Sequence, residues 1–536
     1  MAPVVDVPVV APPVAPQSAD PRPSGQARRR TPPALAVAGA AIGAAMALPL
    51  AHLVLRAGEA DDPWGLVASS RVLGFLWGTL RLALAVTALT LVVGVGLAWL
   101  IERTDLPARR LLGLAAALPL VVPTYVGALA LKAAFGPEGL LVEVPGLVGF
   151  WGVTLALGLS TYPYVYLLAR ATLASSDPAL EEAARALGDG PVRTFRRVVL
   201  PQLRPAAAAG GLLSFLYVLS DFGAVSILQY DTLTRGIFLE YRSLTADRAP
   251  AAVLGVVLVV LTIVAISAER VLRGPLVARP ASSGHRPPPV VPLGRWRAPA
   301  AGAVAGVVAA GLLLPVGVVA YWASVGSSAS SGDVVARAAW TSVGLSAAAA
   351  LVAVALAVPV AVLGVRHRSR LSRAVETLCY AGYALPGLVV GLALVFFANR
   401  YLPAVYQTLS LVVAAYVVRF LPEALGAVRS SLGRVDPALE EAGRSLGRRP
   451  LAVTATITLP LVRPGLLAGA ALVFLTAMKE LPATLLLRPA GADTLAVRVW
   501  TGASEGLYAQ AAPAALLLIA VSALVLLPLR PARMGR

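Results

Sequence analysis

Long apolar runs alternate with short polar segments along the whole chain, and that alternation outweighs any amphipathic period. The runs are 34–55, 82–101, 111–131, 147–169, 206–228, 250–268, 298–322, 340–365, 377–398, 402–419, 465–487 and 511–529. Each approaches or exceeds the length of about 20 residues that crosses the hydrocarbon of a bilayer. The pattern predicts an all-α integral membrane protein of about 12 transmembrane helices. The fifth and eleventh runs are the least clean, because Asp221 and Glu480 interrupt them.

The polar segments carry a repeat. Residues 177–205 read DPALEEAARALGDGPVRTFRRVVLPQLRP, and residues 436–464 read DPALEEAGRSLGRRPLAVTATITLPLVRP. The two align without a gap at an offset of 259 positions, with 15 identities in 29 residues. A period this long, with six spans per unit, describes two parallel six-helix repeats. The division expected is a disordered Pro- and Ala-rich tail over 1–30, a first membrane domain over 31–270, a basic Pro-rich linker over 271–297 and a second membrane domain over 298–536.

Composition agrees with the spans: 58% of residues are hydrophobic and only 13% charged, against about a quarter charged in soluble chains. The single cysteine, Cys379, excludes a disulfide framework, and three scattered histidines give no metal cluster. The net charge of +18 belongs to the loops and not to a nucleic-acid-binding face. With the N-terminus inside, 32 basic residues fall on the cytoplasmic side and 11 outside. This asymmetry puts both termini in the cytoplasm, with both repeated segments there too. The basic cluster before the first span resembles the start of a signal peptide, but the run that follows is too long for one. It is read as an uncleaved span.

Each repeated segment has the parts of a short helix, a sharp turn and a second short helix. Asp177-Pro178 and Asp436-Pro437 suit a helix start, Glu181 and Glu182 add charge to the first turn, and Gly188 and Gly447 suit the left-handed stop. Leu180, Ala183, Ala184 and Leu187 give a small apolar face, and the second helix is expected to run from Pro191 to Leu200-Pro201. An amphipathic helix on anionic lipid would use the five arginines of the first copy. It would not require the same Glu-Ala pair, Gly and Leu-Pro in both halves, so docking to a protein partner is the preferred reading.

The spacing Glu182-Ala183-Ala184, Gly188, Val198-x-Leu200-Pro201, and again Glu441-Ala442-Gly443, Gly447, Ile457-x-Leu459-Pro460, resembles the signature of binding-protein-dependent ABC importer permeases. Val198 for Ile and Gly443 for the last Ala are the departures. The resemblance covers both halves and implies that these loops couple to two copies of a separate ATPase subunit. It also implies an extracytoplasmic substrate-binding protein, a multi-pass place in the bacterial inner membrane and no second permease subunit. The chain has no P-loop, since Lys132 and Lys479 lack the motif around them. ATP and Mg are therefore expected on the partner, with no cofactor on this chain and no enzymatic role for it. A twelve-span secondary transporter is the rival class.

The repeat places Asp221 opposite Glu480, and intramembrane carboxylates are candidate cargo ligands. The alternative is a helix break near the outer surface with Lys479 pairing Glu480. The flanking segments, 220–241 and 478–500, are similar to those of fused ferric-iron permeases, though permeases for thiamine, phosphonate or polyamine are similar too. Hard Fe(III) accepts carboxylate and phenolate oxygen, which Asp221, Glu480, Tyr125 and Tyr383 offer. With Lys479, these five are the candidate translocation path.

Overall fold

The structure, a computed structural model, describes residues 31–137, 139–176, 178–243, 248–273, 290–325, 332–367 and 369–526. The N-terminal tail over 1–30, Asp177 and most of the linker lie outside the described residues. Backbone polar groups in hydrocarbon must be satisfied within their own segment, so apolar runs of this length become helices. Nine helices among the described residues are long and apolar enough to cross a membrane, two further pairs qualify as broken spans, and Tyr508–Leu524 is a shorter apolar helix. Every one of the twelve runs thus has a helical counterpart.

Four runs differ from the straight spans expected. The third is split into Arg109–Val121 and Thr124–Phe135, bent by 94°, and the ninth into Arg370–Gly382 and Gly387–Tyr401, bent by 105°. Pro123 and Pro386 sit at the two bends, where a residue without an N–H starts a helix but cannot continue one. The fifth ends at Ser220 and resumes as Gly223–Ile227; the eleventh ends at Met478 and resumes as Pro482–Leu487. Hydropathy does not register the bends at Pro123 and Pro386, because the residues around them remain apolar, whereas the breaks in the fifth and eleventh runs fall at the interrupting residues Asp221 and Lys479-Glu480.

Other helices outrun their apolar stretch. Ser70–Arg103 has 34 residues and Gly332–Arg366 has 35, about 50 Å at 1.5 Å per residue, which exceeds a hydrocarbon core of about 30 Å. The tenth span is Leu409–Gly433, not 402–419. Arg419 therefore lies inside it and not at its end.

The two halves pack alike. Ser70–Arg103 lies against Gly152–Ala174 and Leu200–Ser220, as Gly332–Arg366 lies against Leu409–Gly433 and Leu459–Met478. Small residues let these helices approach: a Cβ on Gly210 would come within 2.7 Å of Val165, and one on Gly469 within 3.1 Å of Ala424, at the same offset in the repeat. The halves also exchange their first spans. Pro33–Ala57 packs on Arg370–Ala384 and Gly387–Tyr401, and Leu314–Val325 packs on Thr124–Phe135. The linker returns to the first half through a bridge between Thr104 and Val291, with Leu293 N–H donating to Asp105 at 2.8 Å.

Candidate functional site

The repeated segments fold as two copies of one small device. Pro178–Ala186 and Pro437–Ser445 are helices. Each is followed by a left-handed glycine, Gly188 at φ 88° and Gly447 at φ 80°. The next N–H turns back onto the helix, Asp189 to Ala184 O at 3.0 Å and Arg448 to Gly443 O at 3.2 Å. This is the closure that a left-handed residue allows after a helix end. Asp436 caps its helix by accepting from Ala438 N–H at 2.9 Å.

Two details add to the sequence reading. Of the apolar face Leu180, Ala183, Ala184 and Leu187, only Ala184 is buried; Leu187 is 87% exposed and its counterpart Leu446 is 81% exposed. The inward residues of the first helix are Pro178, Glu181 and Ala184. The second helix also does not stop at Leu-Pro. It passes through a π-turn, Phe195–Val199 or Thr454–Thr458, into the membrane helices Leu200–Ser220 and Leu459–Met478. Pro201 and Pro460 have no N–H for a regular i to i−4 bond, and the preceding Leu N–H reaches back five residues instead, to Phe195 O or Thr454 O.

Of the motif residues, Glu182, Ala183, Glu441 and Ala442 face outward, Gly188 and Gly447 are exposed at the turns, and Leu200-Pro201 and Leu459-Pro460 are exposed at the helix starts. Ala184 and Gly443 face inward. Their difference has a physical reason: a Cβ on Gly443 would lie 2.7 Å from Ile457 Cδ1. Where the first copy combines Ala184 with Val198, the second combines Gly443 with Ile457, and a lost methyl is matched by a gained one. Each copy thus departs from the motif at one member of this pair, Val198 in the first and Gly443 in the second.

Three of the four helix breaks line a small central cavity between the halves, and Gly387, at the fourth, lies against Arg419 and Glu480 of that lining. Asp221, Glu480, Lys479 and Tyr125 all line it. The side chain of Tyr383 lies outside the described residues. Asp221 Oδ1 accepts from Ala224 N–H at 2.9 Å and Oδ2 from Thr124 Oγ1 at 2.6 Å. Glu480 Oε1 accepts from Ala483 N–H at 3.1 Å. Each carboxylate thereby caps the short helix that follows it. The remaining oxygen of Glu480 is bound by Arg419, which also donates to Ser220 Oγ at 3.0 Å.

Lys479 does not pair with Glu480. Its Nζ donates to Leu120 O, in the bend of the third span, at 3.0 Å. Tyr125 is 4% exposed, and its hydroxyl has no hydrogen-bond partner among the described residues. Beside the cavity, Phe222, Phe238 and Trp500 stack with ring centroids 4.7 to 5.8 Å apart. Trp500 Nε1 donates to Ser226 Oγ at 3.3 Å, which ties the second half to the first at this point.

The sequence reading missed Thr124, Tyr217, Ser220 and Arg419, all of which line the cavity. Arg419 carried a signal: an arginine between Val418 and Phe420, in an apolar stretch, is costly unless it has a partner. The hydroxyl-bearing residues carried none, since Thr and Ser occur freely in membrane helices.

Paired helix breaks, a polar cavity between two repeats and two similar surface devices fit a membrane transport component. The profile of the family described as "Binding-protein-dependent transport system inner membrane component" matches residues 90–273 and again 353–530, and the chain belongs to this family. It is similar to a Fe(3+)-transport system permease protein of Haemophilus influenzae, 35% identical over 489 residues that cover 90% of this chain and 94% of the relative. A ferric transport system permease protein of Actinobacillus pleuropneumoniae is 26% identical over 76% of this chain and 64% of its own length. A sulfate transport system permease protein of Salmonella typhimurium is 32% identical over 33% of this chain and 67% of its own length. The chain is thus a fused two-repeat, multi-pass permease of the bacterial inner membrane.

Proposed function

We propose that this chain is the membrane subunit of an ATP-driven importer of ferric iron, receiving its cargo from an extracytoplasmic binding protein. The observation that carries the transport mechanism is the docking device built twice. Each copy offers an exposed leucine tip, Leu187 or Leu446, beside an exposed Glu-Ala pair. Two copies of one ATPase seat on two copies of one surface, and the chain itself has no phosphate-binding loop. Closure of the ATPases around ATP moves both segments together and shifts the halves between inward- and outward-open states. Because both halves are in one chain, no second permease subunit is needed.

Support for ferric iron comes from the relative named for Fe(3+) transport, whose similarity runs through both halves. The cavity chemistry is compatible with that cargo: Asp221 and Glu480 offer carboxylate oxygen and Tyr125 a phenolic oxygen with no partner among the described residues, which are hard donors suited to Fe(III). These groups lie on the proposed path as transient ligands, with Lys479 and Arg419 limiting how tightly a cation is held.

The test is uptake of radiolabelled Fe(III) in a strain lacking this gene, with and without its restoration, before and after ATP depletion. Restored, ATP-dependent iron uptake is expected. Normal iron uptake in the deletion strain, with loss of sulfate, thiamine, phosphonate or polyamine uptake, overturns the cargo. Uptake that follows an ion gradient and persists without ATP overturns the importer and favours a secondary transporter.

A further inference from the structure

Each docking helix is held to the membrane domain by a buried ion pair that the motif does not include. Arg103 is the last residue of Ser70–Arg103, and its Nη2 lies 3.0 Å from Glu181 Oε1. Arg366 is the last residue of Gly332–Arg366, and its Nη2 lies 3.0 Å from Glu440 Oε1. The side chains are 2% and 6% exposed in the first pair, and 11% and 12% in the second. Both glutamates precede the motif glutamates Glu182 and Glu441, which face outward.

The same arginine atom also takes hold of a third element. Arg103 Nη2 donates to Leu173 O at 3.3 Å, at the end of Gly152–Ala174, and to Ser176 Oγ. Arg366 Nη2 donates to Val435 O at 2.9 Å, just past Leu409–Gly433. Thr458 Oγ1 adds a bond to Glu440 Oε1 at 3.3 Å from the π-turn that leads into Leu459–Met478. One guanidinium thereby joins the ends of two membrane helices to the docking helix, and it does so in both halves.

Stability does not account for this arrangement. Removing two charges from water costs about what their attraction returns, and apolar residues of similar volume commonly serve as well. A mechanical role does account for it. Without the pair, the docking helix meets the membrane domain only through its chain connections and its packing on the π-turn that follows it. With it, the helix is braced to Ser70–Arg103 or Gly332–Arg366. These long helices pack on Leu200–Ser220 and Leu459–Met478, which end at the central cavity.

We infer that Arg103–Glu181 and Arg366–Glu440 are positioning pairs that pass displacement of the docking helices to the long membrane helices, and so couple ATP hydrolysis to opening of the cavity. This rests on the reading that the segments seat ATPase subunits. The experiment uses the full chain co-expressed with its ATPase and binding protein, purified as a complex and reconstituted into vesicles. ATPase retention, ATP hydrolysis and Fe(III) uptake are measured on the same preparation.

In the apolar replacements Arg103→Met with Glu181→Leu, and Arg366→Met with Glu440→Leu, the ATPase is expected to be retained. Uptake per ATP hydrolysed is expected to fall at least fivefold for either pair and further for both. The exchanged pair Arg103→Glu with Glu181→Arg is expected to recover most of the ratio, and it provides a folded comparison if an apolar pair does not assemble. A parental ratio in the apolar variants overturns the link. Loss of the ATPase from them also overturns it, because the pairs would then only shape the docking surface. Failure of the parent chain itself to retain an ATPase overturns the docking reading, and this inference with it.

Discussion

The two halves of this permease are alike where they meet the outside and unlike where they meet each other. The docking segments match at four structural points: the αL glycine, the leucine tip, the π-turn before Leu-Pro and the Arg–Glu brace. At the cavity the same repeat has diverged. Asp221 is satisfied by the hydroxyl of Thr124. In the second half a glycine, Gly387, follows the bend proline where Thr124 does in the first, and a Cβ on it would lie 2.0 Å from Arg419 Nη1 and 2.5 Å from Glu480 Oε1. The missing side chain opens the room that Arg419 needs to reach Glu480. A neutral donor in one half corresponds to a cation in the other.

The lesson is about what each surface faces. Under the proposed docking of two copies of one ATPase, each copy needs the same surface, so the two segments are expected to keep one shape. A path between the halves is a single object, which needs only one correct set of side chains however the repeats share it. Even within the docking segments the rule is shape and not identity, as the Ala184–Val198 and Gly443–Ile457 pairs show.

The largest expected effect tests the likeness. Gly188→Val and Gly447→Val together place β-branched residues at positive φ, where the left-handed conformation costs about 1–2 kcal/mol for each ordinary residue. The turns reopen, and we expect the ATPase to be lost on purification with uptake reduced more than tenfold. Full retention in the double variant breaks the equivalence of the two loops as docking sites.

The next tests the divergence. Arg419→Ala leaves Glu480 buried without its cation, a change that costs about 3–5 kcal/mol. Thr124→Val removes one hydrogen bond from Asp221 and costs about 1–3 kcal/mol. Thermal unfolding in detergent should rank the two in that order. Equal destabilisation would mean that the halves satisfy their carboxylates equivalently after all.

The smallest effect sharpens the point about shape. Gly443→Ala presses on the end of the Ile457 side chain, and with Ala favoured over Gly in a helix the net cost is expected to stay below about 1 kcal/mol. Adding Ile457→Val should recover most of that loss by restoring the combination found in the first half. A double-mutant cycle measures the coupling, which should exceed about 0.5 kcal/mol for groups in contact. Additive effects would show that positions 443 and 457 are not coupled.

Much of this protein was determined by its sequence. Spans follow from transfer of apolar side chains into lipid, a property of each run by itself. The left-handed stops at Gly188 and Gly447 and the cap at Asp436 are settled by residues a few positions apart, and the repeat displays them twice. The partners of charged side chains were not determined in this way. Arg419 finds Glu480 across 61 positions, Arg103 finds Glu181 across 78 and Lys479 finds Leu120 across 359. In each case a nearer group was available, as with Lys479 beside Glu480, and the chain passed it over. Which charge meets which is decided by helix crossings, bends and the room left by a residue such as Gly387. Those depend on packing across the whole fold, and only the tertiary structure supplies them.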